Sequence, residues 1–455
     1  MTTGEVVSRF PDDFLWGVST SAFQIEGALE EDGRGPSVWD AFTAVPGNVK
    51  DGTTAATACD HYHRYREDVA LIHDLGVGAY RFSVAWPRVV PDGTGPVNPA
   101  GLDFYDRLVD ELCSRGIEPV PTLFHWDTPL ALEESHGGWQ HRDTASHFAD
   151  YTAAVAARLG DRVTRWITLN EPAEHTLLGH ALGQHAPGHT LVFDALPVAH
   201  HLLLGHGLAA EALRAASGGA RIGIANSHGP VWPASDDPAD KTAADLYDVL
   251  LNRLFADPLL LGRYPDGLAE LMPAADLTAD LDLIGRPLDW YGVNYYQPTR
   301  VAAPDGTATD YAGVHLPAEL PFTPRPIEDH PLTDFGWPVV PEALTELLLD
   351  LRTRYTDSLP PLLITENGCS YPGLDDQDRI TFLHGHLHAL HAAMQSGADV
   401  RGYFVWSLLD NFEWAEGHAR RFGLVHVDYP TQRRTPKASY HWLRAALHAA
   451  TDPRP

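Results

Sequence analysis

Cysteine is nearly absent from this sequence. Cys59, Cys113 and Cys369 are odd in number and widely spread, which excludes a disulfide framework or a zinc knuckle. Basic residues are also short, with 32 Lys and Arg against 61 Asp and Glu. The resulting net charge of −29 argues against nucleic-acid or membrane partners, since phosphates would be repelled, and solubility is its ordinary meaning. No apolar run reaches transmembrane length. No N-x-S/T sequon occurs, and the opening MTTGEVVSRFPDDF lacks a basic stretch followed by an apolar one. A cytoplasmic protein is therefore expected. Neither GxGxxG nor a P-loop follows the first apolar run, which leads instead into STSAFQIEG. HExxH is missing as well, and neither a cofactor nor a metal is expected.

What is present suits a large core: 455 residues, 44% of them hydrophobic, with twelve Trp. Apolar runs predict strands at 14–19, 79–86, 118–126, 165–171, 221–226, 289–296, 362–367 and 400–407. Helical patterns fall between and after them at 61–75, 101–115, 143–159, 197–216, 241–255, 341–356, 375–396 and 435–449. In HYHRYREDVALIHDLG, for example, Tyr65, Val69, Ile72 and Leu75 share one face and Gly76 ends it. Eight strand–helix pairs predict an α/β protein, a single (β/α)8 TIM barrel with long βα loops, forming one catalytic domain over 1–455. The longest irregular segment, 297–335, is expected to be a functional wall or disordered.

Active sites of such barrels lie at the C-terminal ends of the strands. Those ends are unusually polar and aromatic here. Strand three ends in His125–Trp126, strand four in Asn170–Glu171 and strand six in Asn294–Tyr295–Tyr296. Strand seven ends in Glu366–Asn367, and the last runs into Trp406 and then NFEW, Asn411 to Trp414. Strand two carries Arg81 inside an apolar run. One charged strand tip means little; polar groups on most of them imply a pocket.

WITLNEP and LITENG place two glutamates, Glu171 and Glu366, on separate strand ends 195 positions apart. Two carboxyls facing one pocket are what glycosidic bond cleavage requires. At about 5–5.5 Å apart, one attacks the anomeric carbon and the other protonates the leaving oxygen; at roughly 6.5–9.5 Å a water fits between and configuration inverts. Sugar rings also need flat faces and hydroxyl partners. Trp126, Trp406, Trp414 and Tyr296 can supply faces, and Gln24, His125, Asn170 and Glu413 partners. For most of the twelve Trp, core packing is the expected role.

TLNEP at 168–172 and ITENG at 364–368 resemble the glutamate motifs of the family 1 glycoside hydrolases, the β-glucosidases and their relatives. The likeness spans nearly the whole chain, including FLWGVSTSAFQIEGA, RFSVAWPR at 81–88 and SLLDNFEWAEGHARRFGLVHVDY at 407–429. It implies a retaining double displacement on terminal β-D-glucosyl, and possibly galactosyl or fucosyl, residues of small glycosides and short oligosaccharides. In that scheme Glu171 is the acid/base, Glu366 the nucleophile and Arg81 the nucleophile's support. Gln24, His125, Trp126, Asn170, Asn294, Tyr296, Trp406, Glu413, Trp414 and Phe422 would line the sugar site, and Trp337 the aglycone site. A raised Glu171 would begin protonated and serve as base once Glu366 is esterified.

Glutamate at 171 argues against the myrosinase branch, which has glutamine there. Glu413 and Trp414 argue against the 6-phosphoglycoside branch, although Arg420 lies near that branch's lysine position. Phe23 and Cys369 are mild departures from the family pattern. A transglycosylating enzyme shares the same glycosyl-enzyme intermediate, whereas a dead sugar-binding barrel would be expected to have lost a glutamate. His384, His388 and His391 share a helical face that is expected to be solvated, and His200–His201 are expected to pack against the barrel.

Overall fold

A computed structural model describes residues 4–311 and 314–451. Eight strands form the barrel: β1 Leu15–Ser19, β2 Ala79–Ser83, β3 Glu118–Phe124, β4 Arg165–Asn170, β5 Arg221–Ser227, β6 Tyr291–Asn294, β7 Leu362–Asn367 and β8 Val400–Trp406. All neighbouring pairs are parallel, each strand bonds its neighbours in sequence, and β1 pairs with both β2 and β8 to close the ring. The expected (β/α)8 fold is the one observed.

The barrel interior is filled, not open. Ala79, Val120, Ile167, Ala225, Trp290, Leu363 and Phe404 form one cluster drawn from seven of the eight strand segments. Space for the two aromatics comes from glycine: a Cβ on Gly17 would lie 2.3 Å from the Phe404 ring, and one on Gly223 would lie 2.4 Å from Trp290. This floor leaves the C-terminal ends of the strands as the open side.

Helices follow the strands in turn, among them His61–Leu75, Asp143–Leu159, Leu196–Ala216 and Gln377–Gln395. The helix expected over 241–255 is instead Pro238–Asp248, a π-helical turn at Val249–Arg253, and Leu254–Leu261. A second π-helical segment, His175–Ala181, continues the short helix Pro172–Glu174 that follows β4. Such turns are uncommon and gather at functional sites. His200 and His201 are buried between helices, bonding Tyr264 and Asp280 in one case and the Trp139 carbonyl in the other. His384, His388 and His391 are half-buried, with His384 meeting Trp442 and His391 meeting Phe10.

Two further expectations need correction. β3 and β4 stop earlier than predicted, because Trp126 (φ 76°) and Glu171 (φ 44°) take left-handed conformations that cannot extend a strand. The segment 297–335, of which 312–313 lie outside the described residues, is not wholly irregular but carries four short strands. Thr299–Ala302 pairs with Val231–Pro233 and Thr323–Arg325 in a small sheet, and Thr309–Tyr311 pairs with Val314–Leu316. These strands are three or four residues long, too short for alternation to register.

Candidate active site

Both glutamate-bearing strands lose their regular register just before the carboxyl. Along β4, Ile167 pairs with Gly223 but Asn170 with Ala225, so one extra residue is inserted. Along β7, Ile364 pairs with Val293 and Glu366 with Asn294, again with one extra residue. Bulges of this kind re-aim side chains beside active sites. Glu171 then donates its backbone N–H to Ala225 at 2.7 Å, while Pro172 starts the following helix, where its missing N–H costs nothing. Past β7, Gly368 is obligatory, since a Cβ there would sit 1.7 Å from the Trp406 carbonyl oxygen.

A cavity of about 530 Å³ opens at this end of the barrel. Ten of the expected site residues line it: His125, Trp126, Glu171, Tyr296, Trp337, Glu366, Trp406, Glu413, Trp414 and Phe422. The other four, Gln24, Arg81, Asn170 and Asn294, stand behind the lining and are fully buried. They form the wiring of the site. Arg81 donates to Glu366 Oε1 at 2.5 Å, to the Thr365 carbonyl at 3.0 Å and to Asn170 Oδ1 at 2.5 Å. Asn294 Nδ2 donates to Asn170 Oδ1 at 3.0 Å and to Glu171 Oε1 at 2.8 Å. Tyr296 donates its hydroxyl to Glu366 Oε2 at 2.6 Å. Gln24 donates to Asn411 at 3.0 Å and to Glu413 at 3.3 Å.

The two carboxyls differ in setting. Both oxygens of Glu366 accept from strong donors, an arrangement that suits an anion. Among the described residues no cation bonds Glu171; burial, then the negative fields of Glu366 and Glu174, hold its carboxyl well above the usual range. His125 is pushed well below its ordinary value by burial and by Arg81, so it is neutral beside Asn170. Glu413 is pushed up to about 8 by loss of solvent and by Glu366 and Glu416.

Aromatic rings wall the cavity on two sides. Trp126 and Trp414 lie 4.6 Å apart between centroids, and His125 stacks towards Trp406 at 5.9 Å. Across the opening, Trp337 meets Phe335 at 4.4 Å and Tyr296 at 5.4 Å. Phe23 lies parallel to Trp414 at 6.1 Å, supporting it from behind.

Comparison with known proteins places this geometry. The glycosyl hydrolase family 1 model matches residues 6–451. The chain belongs to glycosyl hydrolase family 1. It is a hydrolase acting on glycosidic bonds, with the retaining chemistry of that family. It is 47% identical over 451 residues to a β-glucosidase of an Agrobacterium species, covering 97% of this chain and 95% of that protein. A bifunctional β-D-glucosidase/β-D-fucosidase of Bifidobacterium breve is 42% identical over 458 residues, covering 96% and 97%. Among solved structures, virulence factor SghA of Agrobacterium tumefaciens, in complex with its substrate analogue salicin, superposes with a TM-score of 0.92. It is 44% identical and covers 99% of each chain.

Other groups of this family 1 site did not stand out in the sequence, even where they fall within a quoted motif. Thr365 is the inserted residue of β7 and donates its hydroxyl to Asn294 Oδ1 at 2.6 Å. Asn411 links Gln24 to Ser407. At the mouth, Lys50 pairs with Glu416, joining the loop after β1 to the one after β8. Arg420 does not line the cavity: it bonds Glu416 and the Asp334 carbonyl and lies over the Phe335 ring. Its charge is spent there and is not offered to a sugar phosphate. Glu174, three residues after Glu171, lines the same cavity. In sequence it reads only as an acidic residue in a first helical turn, where the helix dipole favours it.

Proposed function

We propose that this family 1 enzyme is a β-glucosidase that cleaves terminal non-reducing β-D-glucosyl residues, accepting galactosyl and fucosyl residues as well, through a covalent glycosyl-enzyme. Glu366 attacks the anomeric carbon while Glu171 gives its proton to the leaving oxygen; water then attacks with Glu171 as base. The observation carrying this reading is the contrast between the two carboxyls: Glu366 doubly held by Arg81 and Tyr296, Glu171 buried without a cation.

Around that pair, Trp126, Trp406, Trp414 and Phe422 would face the sugar, and His125 and Glu413 would take its hydroxyls. Gln24, Asn170 and Asn294 would set those groups and reach the sugar through them. Trp337 would flank the aglycone. The proposal covers residues 1–455 as one catalytic domain, working in the cytoplasm on small β-glycosides and short oligosaccharides, in carbohydrate metabolism and cellulose degradation. No helix among the described residues is long and apolar enough to cross a membrane. The activities of the relatives, a β-glucosidase and a bifunctional β-D-glucosidase/β-D-fucosidase, support the breadth at the sugar.

Following the anomeric proton by NMR in the first minutes of hydrolysis of an aryl β-D-glucoside tests the reading. Initial release of β-glucose is expected, and initial α-glucose would sink it.

A further inference from the structure

Beyond Glu171 the cavity continues into a chamber bounded by the two π-helical segments and by the small sheets of 297–335. Leu177, Leu250, Leu254, Val314 and Phe322 give it apolar walls. Into this chamber Glu174 brings a half-buried carboxyl. Among the described residues, the polar side chain that steadies it is the Ser227 hydroxyl at the end of β5, and no cation acts on it. Tyr247, on the helix Pro238–Asp248, lines the same cavity and lies within the field of Glu174. Gln297 also lines the cavity, with a buried amide oxygen that has no hydrogen-bond partner among the described residues.

A carboxyl moved out of water without a paired cation costs stability and returns nothing to the fold. Glu174 and Gln297 thus present acceptors to an apolar chamber, and the fold supplies them with little to accept from. Four further acids, Glu171, Glu366, Glu413 and Glu416, line the cavity, and its lysine, Lys50, is already paired with Glu416.

The geometry points to Glu174 as the charge filter of the aglycone chamber, selecting β-glycosides whose apolar aglycone bears an ammonium or neutral hydrogen-bond donor and rejecting those bearing a carboxylate. The inference rests on the proposed reading of the cavity as a β-glycoside site and adds the class of aglycone. Hydrolysis itself is unchanged by it: the aglycone leaves as the alcohol or phenol, carrying the proton given by Glu171.

Three aryl β-D-glucosides of equal size, with aminomethyl, hydroxymethyl and carboxylate substituents, provide the test. Wild-type kcat/KM is expected to favour the aminomethyl over the carboxylate compound by about tenfold or more. In Glu174→Gln, and separately in Glu174→Leu, that ratio should fall by at least about fivefold. An unchanged ratio in both variants overturns the filter while leaving the β-glucosidase reading intact. Failure of the wild type to cleave even the hydroxymethyl compound overturns that reading and this one with it. The wild type gives an independent measure should the variants not fold: 4-phenylbutylamine should inhibit more tightly than 4-phenylbutyrate, and the reverse order overturns the proposal.

Discussion

The side-chain amide nitrogen of Asn294 donates to Oε1 of Glu171 at 2.8 Å, and the same nitrogen donates to Asn170 at 3.0 Å. Asn170 in turn accepts from Arg81, which bonds Glu366. The two carboxyls are therefore connected by a short chain of buried hydrogen bonds running behind the cavity.

The donor on Glu171 favours its ionised form, opposing burial and the charge of Glu366. Asn294→Ala removes it. The alkaline limb of the kcat/KM–pH profile should move to higher pH, since the acid then holds its proton more tightly. The lost bond should also cost about 10–100-fold in kcat/KM, as expected of a hydrogen bond to a charged group. A limb that moves to lower pH would contradict the assignment of Glu171 as the acid.

Truncation of either glutamate should be rescued by azide, with opposite products. Glu366→Gly with azide should give an α-glycosyl azide, the anion replacing the nucleophile. Glu171→Ala should keep activity on glycosides with acidic leaving groups and give a β-glycosyl azide. Product configuration by NMR decides; the reverse pairing would mean the two roles are exchanged.

Glu413 titrates at about 8 in the folded protein against about 4.3 in an unfolded chain. A raised carboxyl binds its proton more tightly in the native state. Its stabilising contribution is thus full below about pH 4 and is lost as pH rises through about 8. Glu413→Gln, which needs no proton, should raise Tm by on the order of 1–2 °C above pH 8 and leave it unchanged near pH 4. Activity should fall by about 10-fold or more, because a sugar contact is altered. Thermal melts across pH check the first outcome, and a Tm gain confined to acid would refute it.

Gly368 has no room for a side chain against Trp406. Gly368→Ala should destabilise by about 3 kcal/mol or more, as overpacking against backbone does. It should also displace Glu366, two residues before it, so kcat should fall more than KM rises. Denaturant melts showing a change under about 1 kcal/mol would mean that the strand end yields without cost.

How much of this could be read in the sequence depended on what each residue had to reveal. The eight strands were legible because each carries an apolar run, and Glu171 and Glu366 because a carboxyl at the tip of such a run is conspicuous. Arg81 stood out for the same reason. Thr365 did not: threonine is an ordinary strand residue, and only the extra residue in the β7 register turns its hydroxyl towards Asn294. Glu174 was hidden by its ordinary place in a helix start. That Gln24, Asn170 and Asn294 lie behind the cavity surface depends on packing depth, which a linear pattern does not encode. The small sheets of 297–335 leave little pattern because their strands are three or four residues long, and one partner, Val231–Pro233, lies far away in the chain.

The floor of the cavity hangs on the barrel strands, whereas its outer chamber is built from two π-helical segments and from sheets that share no ladder with the barrel. These outer pieces can be exchanged as modules. A segment such as 299–325 could be transplanted from a relative of different taste without retuning the catalytic wiring beneath it, and lineages of such enzymes are free to change what they release while conserving how they release it.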